Sequence, residues 1–106
     1  METKKLITDE LNRLKPFGFE VLTFNNNRAF RSAQKNFPDH FITNGKYIVF
    51  VEVKLTSTKD KLSEGQEKLC YKLSSASVYN KHTHMKFIKS VADAKRLVEL
   101  LLKGEL

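Results

Sequence analysis

Phe37–Lys54, FPDHFITNGKYIVFVEVK, is the stretch whose reading decides the fold. Phe41–Thr43 and Lys46–Val53 are rich in β-branched and aromatic residues, and Asn44-Gly45 between them is a strong two-residue hairpin signal. A two-residue loop pairs Thr43 with Lys46, Phe41 with Ile48 and Asp39 with Phe50. Paired residues share a face and side chains alternate along a strand, so Asp39, Phe50, Glu52 and Lys54 are expected on one side, with Glu52 diagonal to Asp39. Two carboxylates and an ammonium then gather at the end of an apolar strand, an oxygen-rich arrangement suited to a hard divalent cation. Pro38 is a point of tension, because proline ends or bulges a strand.

Working outward, residues 3–15 read as an amphipathic helix closed by Pro16 and Gly18, with Leu6, Ile7, Leu11 and Leu14 in one stripe. Glu10 falls inside that stripe, where a carboxylate is costly without a partner. Phe19–Phe24 reads as a strand. A polar, basic loop follows, with Arg28, Arg31 and Lys35 as candidates for phosphate contacts. Beyond Lys54 a polar stretch carries Lys59 and Lys61, two further candidates. Ser63 then opens a helix, and Ser63-x-x-Gln66 matches a capping box. The helical wheel also turns Gln66 inward among Leu62, Leu69, Cys70 and Leu73, so capping and a role inside the fold are both open.

Met85–Lys89 reads as a strand and Ser90 as the cap of a last helix, whose stripe is Val91, Ala94, Leu97, Val98, Leu101 and Leu102. His82 and His84 precede that strand in what reads as an exposed loop beside Lys81 and Lys86. A His-x-His pair suits zinc, but no further cysteine or nearby acid completes a tetrahedral set. His40 adjoins Asp39 and is expected to point to the opposite face. The predicted architecture is α/β, a mixed sheet flanked by helices in the order α-β-β-β-α-β-α.

Composition sets outer bounds. A chain of 106 residues with 41% hydrophobic content reads as one domain, 1–106, with one modest core. Nineteen basic residues against 12 acidic ones give a net charge of +7, which favours a polyanionic partner, nucleic acid ahead of membrane. Cys70 is the single cysteine, so no internal disulfide forms, and a reducing, cytoplasmic setting is expected. No apolar run reads as a signal peptide or a membrane span.

Pro38-Asp39 followed by Glu52-Val53-Lys54 resembles the PD-(D/E)xK nuclease signature. Lys61-Leu62-Ser63-Glu64-Gly65-Gln66, and Phe87–Val91 leading into the last helix, resemble its virus-type replication-repair nuclease branch (VRR-NUC). The likeness covers nearly the whole chain. It departs from the family pattern where Asn36-Phe37 stands in place of the glycine that commonly precedes the PD by one residue.

The resemblance implies a restriction-endonuclease-like core and metal-dependent hydrolysis of DNA. Asp39, Glu52 and the Val53 carbonyl would be the metal ligands, Mg²⁺ the natural ion and Mn²⁺ a substitute. It implies a supporting role for Gln66 and makes Glu10 the candidate for an acid on the first helix near the metal. For Lys54, a base would have to lose its proton beside two carboxylates, so an orienting and charge-stabilising role is expected. The expected enzyme is a structure-selective endonuclease of phage or mobile-element replication and repair, acting on branched, flap or junction DNA, alone or as a homodimer. A sequence-specific restriction or homing nuclease and a non-catalytic DNA-binding module are the competing readings.

Overall fold

The computed structural model describes residues 2–24, 29, 33–58 and 61–106. The first helix, α1 (Lys4–Leu11), starts at Thr3, whose hydroxyl accepts from the Leu6 N–H at 3.2 Å. The chain then tightens into a 3₁₀ turn, Asn12–Phe17, that contains Pro16 and closes at Gly18 with φ of +86°. The helix predicted over 3–15 thus gives up α-geometry after Leu11. Pro16 has no N–H to offer the Asn12 carbonyl four residues back, and its ring crowds that group. Ile7, Leu11 and Leu14 are fully buried as expected, whereas Leu6 is 44% exposed, which narrows the stripe and leaves Glu10 at its edge.

Four strands follow: β1 (Glu20–Thr23), β2 (His40–Thr43), β3 (Ile48–Val53) and β4 (Thr83–Ile88). They form one mixed sheet in the order β1-β2-β3-β4, antiparallel across the first three and parallel between β3 and β4. Between β1 and β2, where a loop is predicted, Ala29 and Ala33 have helical backbone. The parallel pair is joined through α2 (Glu64–Tyr79), and α3 (Val91–Lys103) ends the chain. A parallel connection needs such a crossover, and the element that makes it packs on one face of the sheet.

The hairpin register differs from the prediction. Thr43 pairs with Ile48, Phe41 with Phe50 and His40 with Val51. Asn44–Tyr47, not Asn44-Gly45 alone, connects the strands, because the Asn44 Oδ1 accepts from both the Lys46 N–H (3.0 Å) and the Tyr47 N–H (2.8 Å). The Thr43 hydroxyl closes the other side by donating to the Tyr47 carbonyl at 2.7 Å. These side-chain bonds replace the tight turn. The register slips by two residues, an even number, so every side chain keeps its predicted face. Continuing the observed pairing outward sets Asp39 directly opposite Glu52 instead of on its diagonal. β2 begins at His40, with Pro38 buried just outside it.

One face of the sheet holds the core. Val49, Val51 and Val53 of β3 and Ile42 of β2 are buried with Ile7 and Leu11 of α1 and Ala94, Leu97, Val98 and Leu101 of α3. Each valine, leucine or isoleucine among them contributes roughly 1.5–3 kcal/mol on burial. Leu102, predicted in the α3 stripe, is instead 40% exposed. The Ser90 cap is present, its hydroxyl accepting from the Asp93 N–H at 3.1 Å. Glu2 Oε1 accepts from the Val91 N–H at 2.9 Å and ties the start of the chain to the start of α3.

Candidate functional site

The opposite face carries Asp39, Phe41, Phe50 and Glu52. Here Phe24, Phe37, Phe50 and Phe41 form a chain of rings, with centroids 5.3, 6.1 and 5.3 Å apart in turn. This wall excludes water beside two carboxylates: Asp39 is 4% exposed and Glu52 is fully buried. Asp39 Oδ2 accepts from the Val53 N–H at 2.9 Å, and the Asp39 carbonyl accepts from the Phe24 N–H at 2.9 Å. A residue just before β2 is thereby fastened to the strands on both sides of it.

Lys54 brings its Nζ to 4.0 Å from Glu52 Oε2, with the lysine side chain 19% exposed and the glutamate side chain 1%. Its backbone is fixed as well, since the Lys54 N–H donates to the Ile88 carbonyl at 3.0 Å and extends the β3–β4 pairing past the strand end. Asp39, Glu52 and Lys54 therefore share one face, as the alternation of β3 predicted, while the Val53 side chain lies in the core and only its backbone borders them. Burying a carboxylate costs several kcal/mol by order of magnitude unless it is paired, and here the Val53 N–H and the Lys54 ammonium offset part of that cost.

Cys70 sits on the inner side of α2 and adds a group that sequence reasoning left without a role. Burial pushes its thiol up to about 11, the Glu52 and Asp39 carboxylates add to the effect, and Lys54 opposes it. The helical wheel had already placed Cys70 inward, but only the tertiary approach of α2 to the sheet shows which charges it meets. Gln66 lies on the same helix, and the capping box forms: its Oε1 accepts from the Ser63 N–H at 3.0 Å, while the Ser63 hydroxyl accepts from the Gln66 N–H at 3.2 Å. Its amide oxygen is engaged in the cap, and the amide NH₂ is what it can present elsewhere.

Glu10 is held by Arg13, one turn on, with its own side chain 11% exposed. Among the described residues, no three His, Cys, Asp or Glu side chains gather at one point, so Glu10 does not join Asp39 and Glu52 in such a group. The histidines are placed differently from the prediction. His84 lies within β4 and His82 just before it, both half-buried, with rings packed on buried Tyr47 at centroid distances of 5.1 Å (His82) and 6.2 Å (His84). Burial, then Lys86 and His82, holds His84 below the usual histidine range. His40 is fully buried on the core face as expected, its Nδ1 3.0 Å from the Thr23 hydroxyl.

Of the five cations proposed for phosphate contacts, Arg28, Arg31 and Lys59 lie outside the described residues, while Lys35 and Lys61 are exposed. Lys35 lines a cleft of about 490 Å³ between the segment before Pro38 and α2, together with Asn36, Gly65, Lys68 and Lys72. Gly65 permits this approach, because a Cβ there would collide with the Asn36 amide. Lys68 and Lys72 went unnoticed in the sequence, although their i,i+4 spacing puts them on one side of α2.

Compared with known proteins, the chain matches no family model, no curated protein and no solved structure. Among the described residues, no helix is long and apolar enough to cross a membrane.

Proposed function

We propose that this chain is a metal-dependent DNA endonuclease of the PD-(D/E)xK kind, built on a restriction-endonuclease-like core of order α-β-β-β-α-β-α and similar to stand-alone VRR-NUC domains. The observation that carries the reading is the buried pair Asp39 and Glu52, which face one another when the β2–β3 register is continued one residue past His40, with Lys54 at 4.0 Å from Glu52. The oxygen donors fit a hard divalent cation, since both are carboxylates and the Val53 carbonyl follows Glu52 on the same strand. Asp39, Glu52 and that carbonyl would hold Mg²⁺, or Mn²⁺ in its place. Such an ion, when bound, supplies a lowered pKa for water and charge neutralisation at a phosphodiester.

The chain's own residues do the remaining work. Asp39, locked by the Val53 N–H, keeps its carboxylate aimed without reorganisation. Lys54 steadies the attacking water or the charge growing on the phosphate. The phenylalanine wall lowers the local dielectric and strengthens both effects. DNA in the cytoplasm is the proposed substrate, in a structure-selective reaction of phage or mobile-element replication and repair. The test is nicking of duplex, flap and four-way-junction DNA with Mg²⁺ and with chelator, beside Asp39→Asn and Lys54→Ala proteins checked for folding by circular dichroism. Nicking that needs the metal and falls at least about a hundredfold in both variants, on the scale of losing one stabilising group, is the expected result. Undiminished nicking in either variant, or none in any metal, would contradict the reading.

A further inference from the structure

The three most exposed large apolar side chains among the described residues all stand on α2: Tyr71 at 76%, Val78 at 79% and Tyr79 at 86%. On a helix turning about 100° per residue, Lys68, Tyr71, Lys72 and Tyr79 fall within an arc of about 100°, opposite the inward-facing Cys70. The two tyrosines are about 12 Å apart along the axis. Lys72 stands between them along the axis and Lys68 one turn before Tyr71, and both lysines border the cleft that Lys35 lines. Glu64 pairs with Lys68 at 3.2 Å, but both side chains are largely exposed (84% and 73%), so a phosphate could displace it at little cost.

Largely exposed aromatic rings interleaved with cations form a surface that single-stranded nucleic acid fits, because every base offers a π-face and the backbone its charge. A closed duplex keeps its bases stacked inside and gives the tyrosines nothing to stack on. A second copy of this chain would bring the same lysines against themselves, and at a net charge of +7 it repels the first.

We propose that the outer face of α2 is a track for an unpaired DNA strand, with Tyr71 and Tyr79 as base platforms and Lys68 and Lys72 as phosphate contacts. The substrate is then a duplex carrying a single-stranded arm. This consequence rests on the nuclease reading above, whereas the binding itself does not.

Fluorescence anisotropy in chelator, with labelled oligothymidylate, a blunt duplex and the same duplex bearing an oligothymidylate arm, tests the binding. The Tyr71→Ala/Tyr79→Ala protein should bind the oligothymidylate and the armed duplex at least about tenfold more weakly and the blunt duplex within about twofold of the parent. The Lys68→Ala/Lys72→Ala protein should lose affinity for all three and show a shallower salt dependence. Unchanged arm binding in the tyrosine variant overturns the inference. So does sedimentation showing a parent dimer that the tyrosine variant abolishes, which would give this face to a second copy. Tyrosine-dependent binding without any Mg²⁺-dependent nicking would uphold the track and remove the nuclease reading. Nicking of armed duplex that the tyrosine changes leave untouched would do the reverse.

Discussion

The Asp39 carboxylate accepts from the Val53 N–H at 2.9 Å, and the β2–β3 register continued one residue outward brings it across from Glu52. The hydrogen bond is what lets a nearly buried acid be tolerated at the mouth of β2, where Pro38 leaves the strand unextended, since a second carboxylate across from it only repels. The pairing of acid and strand was legible from alternation alone, but the backbone bond was not, because it depends on the two-residue slip that made Asp39 and Glu52 direct neighbours. Cys70 reports on the same pair. Its thiol is raised to about 11, so it is fully protonated in both states well below 9, and its contribution to stability is intact there. As pH rises from about 9, the unfolded chain releases the proton first, and stability is lost until the folded thiol also titrates near 11. Urea melts across this range should therefore show a steeper alkaline loss in the parent than in a Cys70→Ala protein. Identical pH profiles would mean that the folded thiol is not raised, by burial first or by the two carboxylates.

At the scale of elements, α2 is the part the sequence marked most plainly. Ser63 and Gln66 form both halves of the capping box that their spacing predicts, since capping is a local affair of three residues. Ser63→Ala should cost about 1 kcal/mol in denaturant melts, and a change within error would show that the cap is idle. Local chemistry also explains the failures. Asn44 captured two backbone N–H groups and turned an expected two-residue turn into Asn44–Tyr47, while Pro16 cut short a helix whose apolar spacing ran on. His82 and His84, read as loop residues, are drawn against Tyr47, whose burial depends on the packing of distant elements and has no signature in the local sequence. The side-chain faces survived these errors because the slip was even.

Taken whole, the molecule is a four-stranded mixed sheet with its hydrocarbon core on one face, between the sheet and α1 and α3, and its buried acids on the other, beneath α2. Apolar periodicity made the first face readable. The second depends on how α2 settles against β4, and the cleft of Lys35, Lys68 and Lys72 depends on Gly65 meeting Asn36 across about thirty residues of chain, which no pattern in the sequence announces. The central claim is that the acids of the second face share one divalent cation. Calorimetric titration of Mn²⁺ into the parent and into the isosteric Glu52→Gln protein tests it without any DNA. The account predicts saturable binding by the parent and affinity at least about tenfold weaker in the variant, the usual scale for altering a ligand's surroundings. No binding by the parent, or equal binding by both, would contradict it.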